Sequence, residues 1–78
     1  MRDKKPVFVV TFYTTAEAMA TEKLCKDKDI KGKLISAPRS LSADCGIAYV
    51  VEPDLKKTLI DSIEEKGIEV QGYHDIEL

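Results

Sequence analysis

The chain has 78 residues, of which 12 are basic and 14 acidic, for a net charge of −2; 44% are hydrophobic and 33% charged. That length suits one domain and is too short for two, and so small a domain buries only about 60% of the surface its unfolded chain exposes. The composition argues against disorder and low complexity, the near balance of charge gives no electrostatic reason for a polyanionic partner, and no apolar run approaches the roughly 18 residues that span a bilayer.

The N-terminus, Met1-Arg2-Asp3-Lys4-Lys5, is charged and leads into a short strand-like segment, without the apolar stretch and small-residue cleavage site of a signal peptide. The expected compartment is the cytoplasm. Thiols stay reduced there, so Cys25 and Cys45 read as two free thiols and not as a structural disulfide. Pro6 to Phe12 is rich in β-branched and aromatic residues and reads as a strand. Its nearly continuous apolar run suggests a central strand covered on both faces. Thr14 and Glu17 have capping-box spacing, so a helix starts there and runs to about Lys28. Two stripes compete for its buried face: Ala16, Met19, Ala20 and Leu24 on one side, Ala18 and Cys25 on the other.

Lys33 to Ser36 reads as a second strand and Ala37 to Cys45, with Pro38, Ser40, Ser42 and Ala43, as a loop. Gly46 to Val51 is a third strand. Pro53 then precedes Leu55, Leu59, Ile60 and Ile63, spaced as on an amphipathic helix, and Gly67 is a natural stop. Ile68, Val70 and Ile76 alternate with Glu69, Gln71, Asp75 and Glu77 as in a half-exposed strand, with Gly72 as a candidate bulge. The order is β-α-β-β-α-β. The expected fold is therefore an α+β ferredoxin-like two-layer sandwich, a four-stranded antiparallel sheet with two helices on one face, in a single domain over residues 1–78.

In such a fold the first and second strands run parallel, with the third between them and antiparallel. The loop from Ala37 to Cys45 should then face the turn Tyr13-Thr14-Thr15, where the first helix begins. The fourth strand is expected to finish at that same edge, bringing Tyr73 and His74 close. A helix N-terminus carries roughly half a positive charge. With Arg39 it would favour the thiolate of Cys45, the nucleophilic form. Asp44 opposes this unless its side chain points away. Gly46 removes bulk beside the cysteine, and Ser40 and Ser42 offer hydroxyls to a sulfur anion. The alternative for Cys45 is a small buried hydrophobe, which is also the reading for Cys25 inside its helix. His74 falls in the apolar register of the last strand and reads as a satisfied, partly buried histidine, and Arg39 could serve only to anchor the loop.

The stretch Phe12-Tyr13-Thr14-Thr15-Ala16, with Glu22 and then Leu34 to Ala48, resembles a selenium/sulfur carrier-like domain of unknown function found in short bacterial proteins. Its hallmark is a strand, a Pro-Arg pair, a small polar stretch and a Cys-Gly that opens the next strand, here Pro38-Arg39, Ser40 to Asp44 and Cys45-Gly46. The family often has a second proline two residues before the Pro-Arg proline; Ser36 stands there instead. The resemblance implies that Cys45 carries sulfur or selenium as a persulfide or selenopersulfide, as a stoichiometric carrier and not a turnover enzyme, with donor and acceptor proteins as partners and no cofactor. A carrier thiol needs no second thiol nearby to resolve its adduct, a condition met if Cys25 is buried.

A second reading is a non-enzymatic interaction module. Val7 and Val9 alternate with Phe8 and Val10, and Tyr49 with Val50. A two-layer sandwich covers one sheet face, so the other would be apolar and fit for a homodimer. RNA binding through Phe8 and Tyr49 as stacking residues is a third, disfavoured by the scattered basic residues. No nucleic-acid or membrane partner is expected. Nineteen residues (26 to 44) separate the two cysteines, no CxxC is present and a single histidine cannot complete a zinc site, so no metal is expected. A phosphate cradle for acylphosphatase-like chemistry would need a glycine-rich loop after the first strand, and none is there.

Overall fold

A computed structural model describes residues 5–41 and 43–77. The elements run β1 (Pro6–Thr11), α1 (Thr15–Asp27), β2 (Gly32–Ser36), β3 (Ile47–Val51), a 3-10 turn (Pro53–Leu55), α2 (Lys56–Lys66) and β4 (Gly72–Glu77). One sheet has the order β2-β3-β1-β4, every neighbouring pair antiparallel. Phe8 and Val10 of β1, Phe12 just beyond it, and Tyr49 and Val51 of β3 share one buried cluster with Ala18, Leu24 and Cys25 of α1 and Leu59 and Ile63 of α2, so both helices lie on one face. This is the ferredoxin-like βαββαβ sandwich expected from the sequence.

Local signals account for the element ends. Thr14 caps α1: its side chain accepts from the Glu17 backbone N–H at 3.3 Å, and the Glu17 carboxylate accepts from the Thr14 N–H at 3.3 Å. Gly67 ends α2 in the left-handed conformation at φ 77°, its N–H bonded to the Ile63 carbonyl. Neither stripe of α1 is buried whole: Ala18 and Cys25 are buried with Thr21, Leu24 of the other stripe joins them, and Ala16, Met19 and Ala20 are exposed, Met19 by 59%. The sheet meets the helix on the Ala18 and Cys25 side, and only Leu24 of the Met19 stripe reaches that contact.

Two expectations change. β4 is antiparallel to β1 with Thr11 opposite Gly72 and Pro6 opposite Glu77. It therefore starts, and does not finish, at the edge where β1 ends. The alternation expected from Ile68 to Ile76 is broken: Ile68 and Val70 pack into the helix-side core, whereas Ile76 packs on the opposite face. Residues 68–71 are a connection, and pairing begins at Gly72 in register with Thr11, without a bulge. Phe8 and Tyr49, the pair of the disfavoured RNA reading, are 0% and 2% exposed beneath the helices. Rings sealed in a core present no face to a base.

The helix-free face carries Val9, Ala48 and Val50, all buried, surrounded by Val7, Ile35 and Ile76 and by Ala37 and Leu41 of the β2–β3 loop. β1 is thus central, with buried residues on both faces, but only one of those faces is covered by helices. Among the described residues, no helix is long and apolar enough to cross a membrane.

α1 ends under strain. Asp29 adopts φ 58° just past the cap residue Lys28, donating to the Lys26 carbonyl at 3.3 Å while Ile30 donates to the Cys25 carbonyl at 2.8 Å. A side chain in the left-handed region costs about 1–2 kcal/mol, and a carboxylate at a helix C-terminus faces the negative end of the dipole. Glycine relieves both and gives back part of the gain as unfolded-chain entropy. Asp29→Gly should therefore stabilise the fold by about 0.5–1 kcal/mol, read as a higher urea midpoint with an unchanged slope; a lower midpoint would contradict it.

Candidate functional site

The loop from Ala37 to Gly46 is closed at its base, where the Ala37 N–H donates to the Gly46 carbonyl at 2.9 Å. It holds two turns. In the first, Leu41 N–H donates to the Pro38 carbonyl at 2.9 Å, leaving Arg39 and Ser40 at the corners, both exposed. In the second, Gly46 N–H donates to the Ala43 carbonyl at 3.0 Å, with Asp44 and Cys45 at the corners. Gly46 has φ 74°, and a Cβ placed on it would meet nothing within 4 Å. The glycine therefore answers first to backbone conformation, since a left-handed residue is needed for the chain to re-join β3. The open space expected beside the cysteine is also there.

The loop straddles the end of the sheet. Leu41 packs on the helix-free face and Cys45 on the helix-side core. The Cys45 N–H points to the Phe12 carbonyl at 3.5 Å, so the loop meets the exit of β1 as expected from topology. The cysteine is half-buried and free of any disulfide. Its Sγ lies 3.3 Å from the Ile47 carbonyl oxygen, to which the thiol donates, and 3.4 Å from the Ile47 N–H, from which the sulfur accepts. The thiol is seated against the backbone instead of projecting from the loop tip.

The neighbours expected to activate it are arranged differently. The positive end of α1 is already answered by Glu17, whose carboxylate accepts from both Tyr13 N–H (3.2 Å) and Thr14 N–H (3.3 Å). The Thr14 hydroxyl is committed to the cap, and Thr15 is exposed as the first residue of the helix. A helix end paired with its own carboxylate has less field to offer a neighbouring thiolate. Among the described residues no hydrogen bond or ion pair links Arg39 or Ser40 to Cys45. Ser42 lies outside the described residues.

Tyr73 and His74 do not reach the sulfur. Tyr73 stacks on Phe8, ring centroids 5.6 Å apart, and His74 Nε2 lies 3.2 Å from the Thr11 hydroxyl on the opposite face from Cys45. Because β4 starts at this edge, the residue that arrives is Gln71. Its backbone N–H donates to the Thr11 carbonyl at 2.7 Å, and its side-chain Oε1 accepts from the Asp44 N–H at 2.9 Å. In the sequence Gln71 is one polar position of an alternating run; the direction of β4, set by its pairing with β1, brings it to the loop.

Cys25 has no exposure and shares the buried cluster with Tyr49. Burial pushes its thiol above the ordinary value, against a smaller opposing effect of the neighbouring Tyr49 hydroxyl. Burial first, then the neighbouring Cys25 and the charge of Glu22, also raise the Tyr49 phenol. This is the inert packing role expected for Cys25. Among the described residues, no cluster of three or more His, Cys, Asp or Glu could hold a metal ion.

Residues 8–75 of the chain match the protein family described as "Putative Se/S carrier protein-like", and the chain belongs to that family. The match takes in β1 from Phe8 onward, the Ala37–Gly46 loop with Cys45, and Gln71. No curated protein and no solved structure matches the chain.

The Cys25–Tyr49 pair sets an alkaline limit on stability. Both groups hold their protons more tightly when folded than when unfolded, so above the ordinary thiol value of 9.0 the unfolded chain releases protons that the folded chain keeps. Stability then falls as pH rises. Urea midpoints should be level from neutral pH up to the thiol's ordinary value and decline above it. A Tyr49→Phe variant should show a shallower decline; an identical decline would remove Tyr49 from the account.

Proposed function

We propose that this member of the carrier-like family holds sulfur or selenium on Cys45 as a persulfide or selenopersulfide and passes it between a donor and an acceptor protein. The observation that carries the reading is the unequal placement of the two thiols: Cys45 is half-buried at the mouth of a loop, and Cys25 is sealed in the core. A persulfide is lost when a second thiol attacks it to form a disulfide. With Cys25 sealed away, nothing within the chain resolves the adduct.

Loading is a thiol exchange. The Cys45 thiolate attacks the outer sulfur of a donor persulfide; a new S–S bond forms on Cys45, the donor's S–S bond breaks, and the donor leaves as a thiolate. Selenium at the outer position follows the same balance. The Ile47 N–H is placed to donate to the Cys45 sulfur after its own proton has gone, while its bond to the Ile47 carbonyl must be given up. Reaction therefore requires the side chain to leave part of its seat. The element carried sits on the side chain, so the chain acts stoichiometrically. Arg39, Ser40, Ser42, Gly46, Thr14 and Thr15 are proposed as supporting residues, through partner docking and loop shape.

A second reading is association through the helix-free sheet face, favoured by the half-buried ring of Val7, Ile35, Leu41 and Ile76 around Val9, Ala48 and Val50. It is compatible with the first. Light scattering at rising protein concentration tests it: a growing dimer fraction supports it, and a monomer throughout removes it.

For the carrier reading, the protein is incubated with a small-molecule persulfide donor and its intact mass measured. Wild type should gain the mass of one sulfur atom and Cys45→Ser none. Equal gain by the two proteins would sink the proposal.

A further inference from the structure

We infer that Gln71 is a positioning residue for Cys45: its side chain pins the Ala43–Gly46 turn in the pose that seats the sulfur against Ile47. The role is stated for the thiol carrier proposed above and rests on that reading for its purpose.

Two contacts given for this turn reach outside the β2–β3 hairpin. The Cys45 N–H to Phe12 carbonyl contact is long, at 3.5 Å; the Asp44 N–H to Gln71 Oε1 bond is short, at 2.9 Å. The partners are 27 residues apart in sequence. Gln71 extends from a fixed point, because its own N–H is bonded to the Thr11 carbonyl at 2.7 Å. Gln71 is half-buried but the bond is exposed to water, so its net worth lies at the low end of the hydrogen-bond range. The peptide unit held by Gln71 is Ala43–Asp44, whose Ala43 carbonyl accepts from the Gly46 N–H across the turn. Holding it fixes the entry of the turn that carries Cys45 at its second corner, and so bears on the contact of the sulfur with Ile47.

The choice of an amide has a chemical reason. The turn needs only an acceptor at this point. A glutamate would accept the same bond but would place a second carboxylate beside Asp44, close to a sulfur that reacts as an anion. Like charge disfavours ionisation. Glutamine accepts without that charge.

The test is the rate of iodoacetamide alkylation at Cys45 as a function of pH, followed by peptide mass spectrometry so that Cys25 does not contribute. Gln71→Leu removes the acceptor and frees the turn. A net hydrogen bond of this exposed kind biases an equilibrium by about twofold, so the limiting rate at high pH should rise by about that factor. Gln71→Glu keeps the acceptor and adds charge. Its limiting rate should match wild type while the midpoint of its pH profile moves up. This split is one that a merely structural role would not produce. The inference is overturned if Gln71→Leu alkylates as wild type does at every pH, or if Gln71→Glu behaves like Gln71→Leu. Should Gln71→Leu fail to fold by circular dichroism, an unmoved midpoint in Gln71→Glu overturns it alone. Alkylation needs no cargo, so the two readings fail separately: absent persulfide loading of wild type sinks the carrier reading, whereas normal loading with Gln71-independent alkylation sinks this one.

Discussion

The antiparallel pairing of β1 with β3 on one side and β4 on the other is the constraint on which the site depends. Val9 opposite both Val50 and His74, and Thr11 opposite both Ala48 and Gly72, set the register. A slip of one residue would turn every side chain of β1 to the other face. With this register, the exit of β1, the start of β4 and the end of the β2–β3 loop come to one edge. Phe12 then meets Cys45, and Gln71 meets Asp44. Residues from three distant parts of the chain converge without any of them being local to another.

Two thiols of one small protein receive opposite treatment from this arrangement. Cys25 faces the sheet from α1 and is sealed by the same side chains that hold the helix down. Cys45 lies where the sheet stops, and the core can cover only part of it. The difference arises from position relative to the layer boundary, because a two-layer sandwich buries its middle and leaves its rims half-covered. The loop secures the rim by straddling it, Leu41 on one face and Cys45 on the other. The space beside Gly46 is open, and the cysteine next to it stays half-buried.

The electrostatics near the sulfur come out differently from a simple helix-end argument. The capping box that starts α1 is also what uses up its positive end, since Glu17 accepts the N–H groups of Tyr13 and Thr14. Hydrogen bonding from the backbone takes its place at the thiol. Ile47 offers both an acceptor and a donor to Cys45. A seat with both is suited to a thiol at rest and keeps its donor once the proton has left.

Much of the fold is legible in the sequence because its signals are local. The Thr14–Glu17 box, Pro53 ahead of an amphipathic run, the αL glycine at 67 and the β-branched strands each specify an element within a few residues, and their order implies the sandwich. The Pro38-Arg39 to Cys45-Gly46 pattern is contiguous too, which is why the loop and its cysteine could be singled out. What only the tertiary structure decided are choices between locally equivalent options. Which residues of the two α1 stripes are buried, whether Val70 and Ile76 share a face, and how the direction of β4 places Gln71 beside Asp44 depend on contacts between distant segments. Local pattern is indifferent to these outcomes; the energy that separates them exists only when the sheet is assembled.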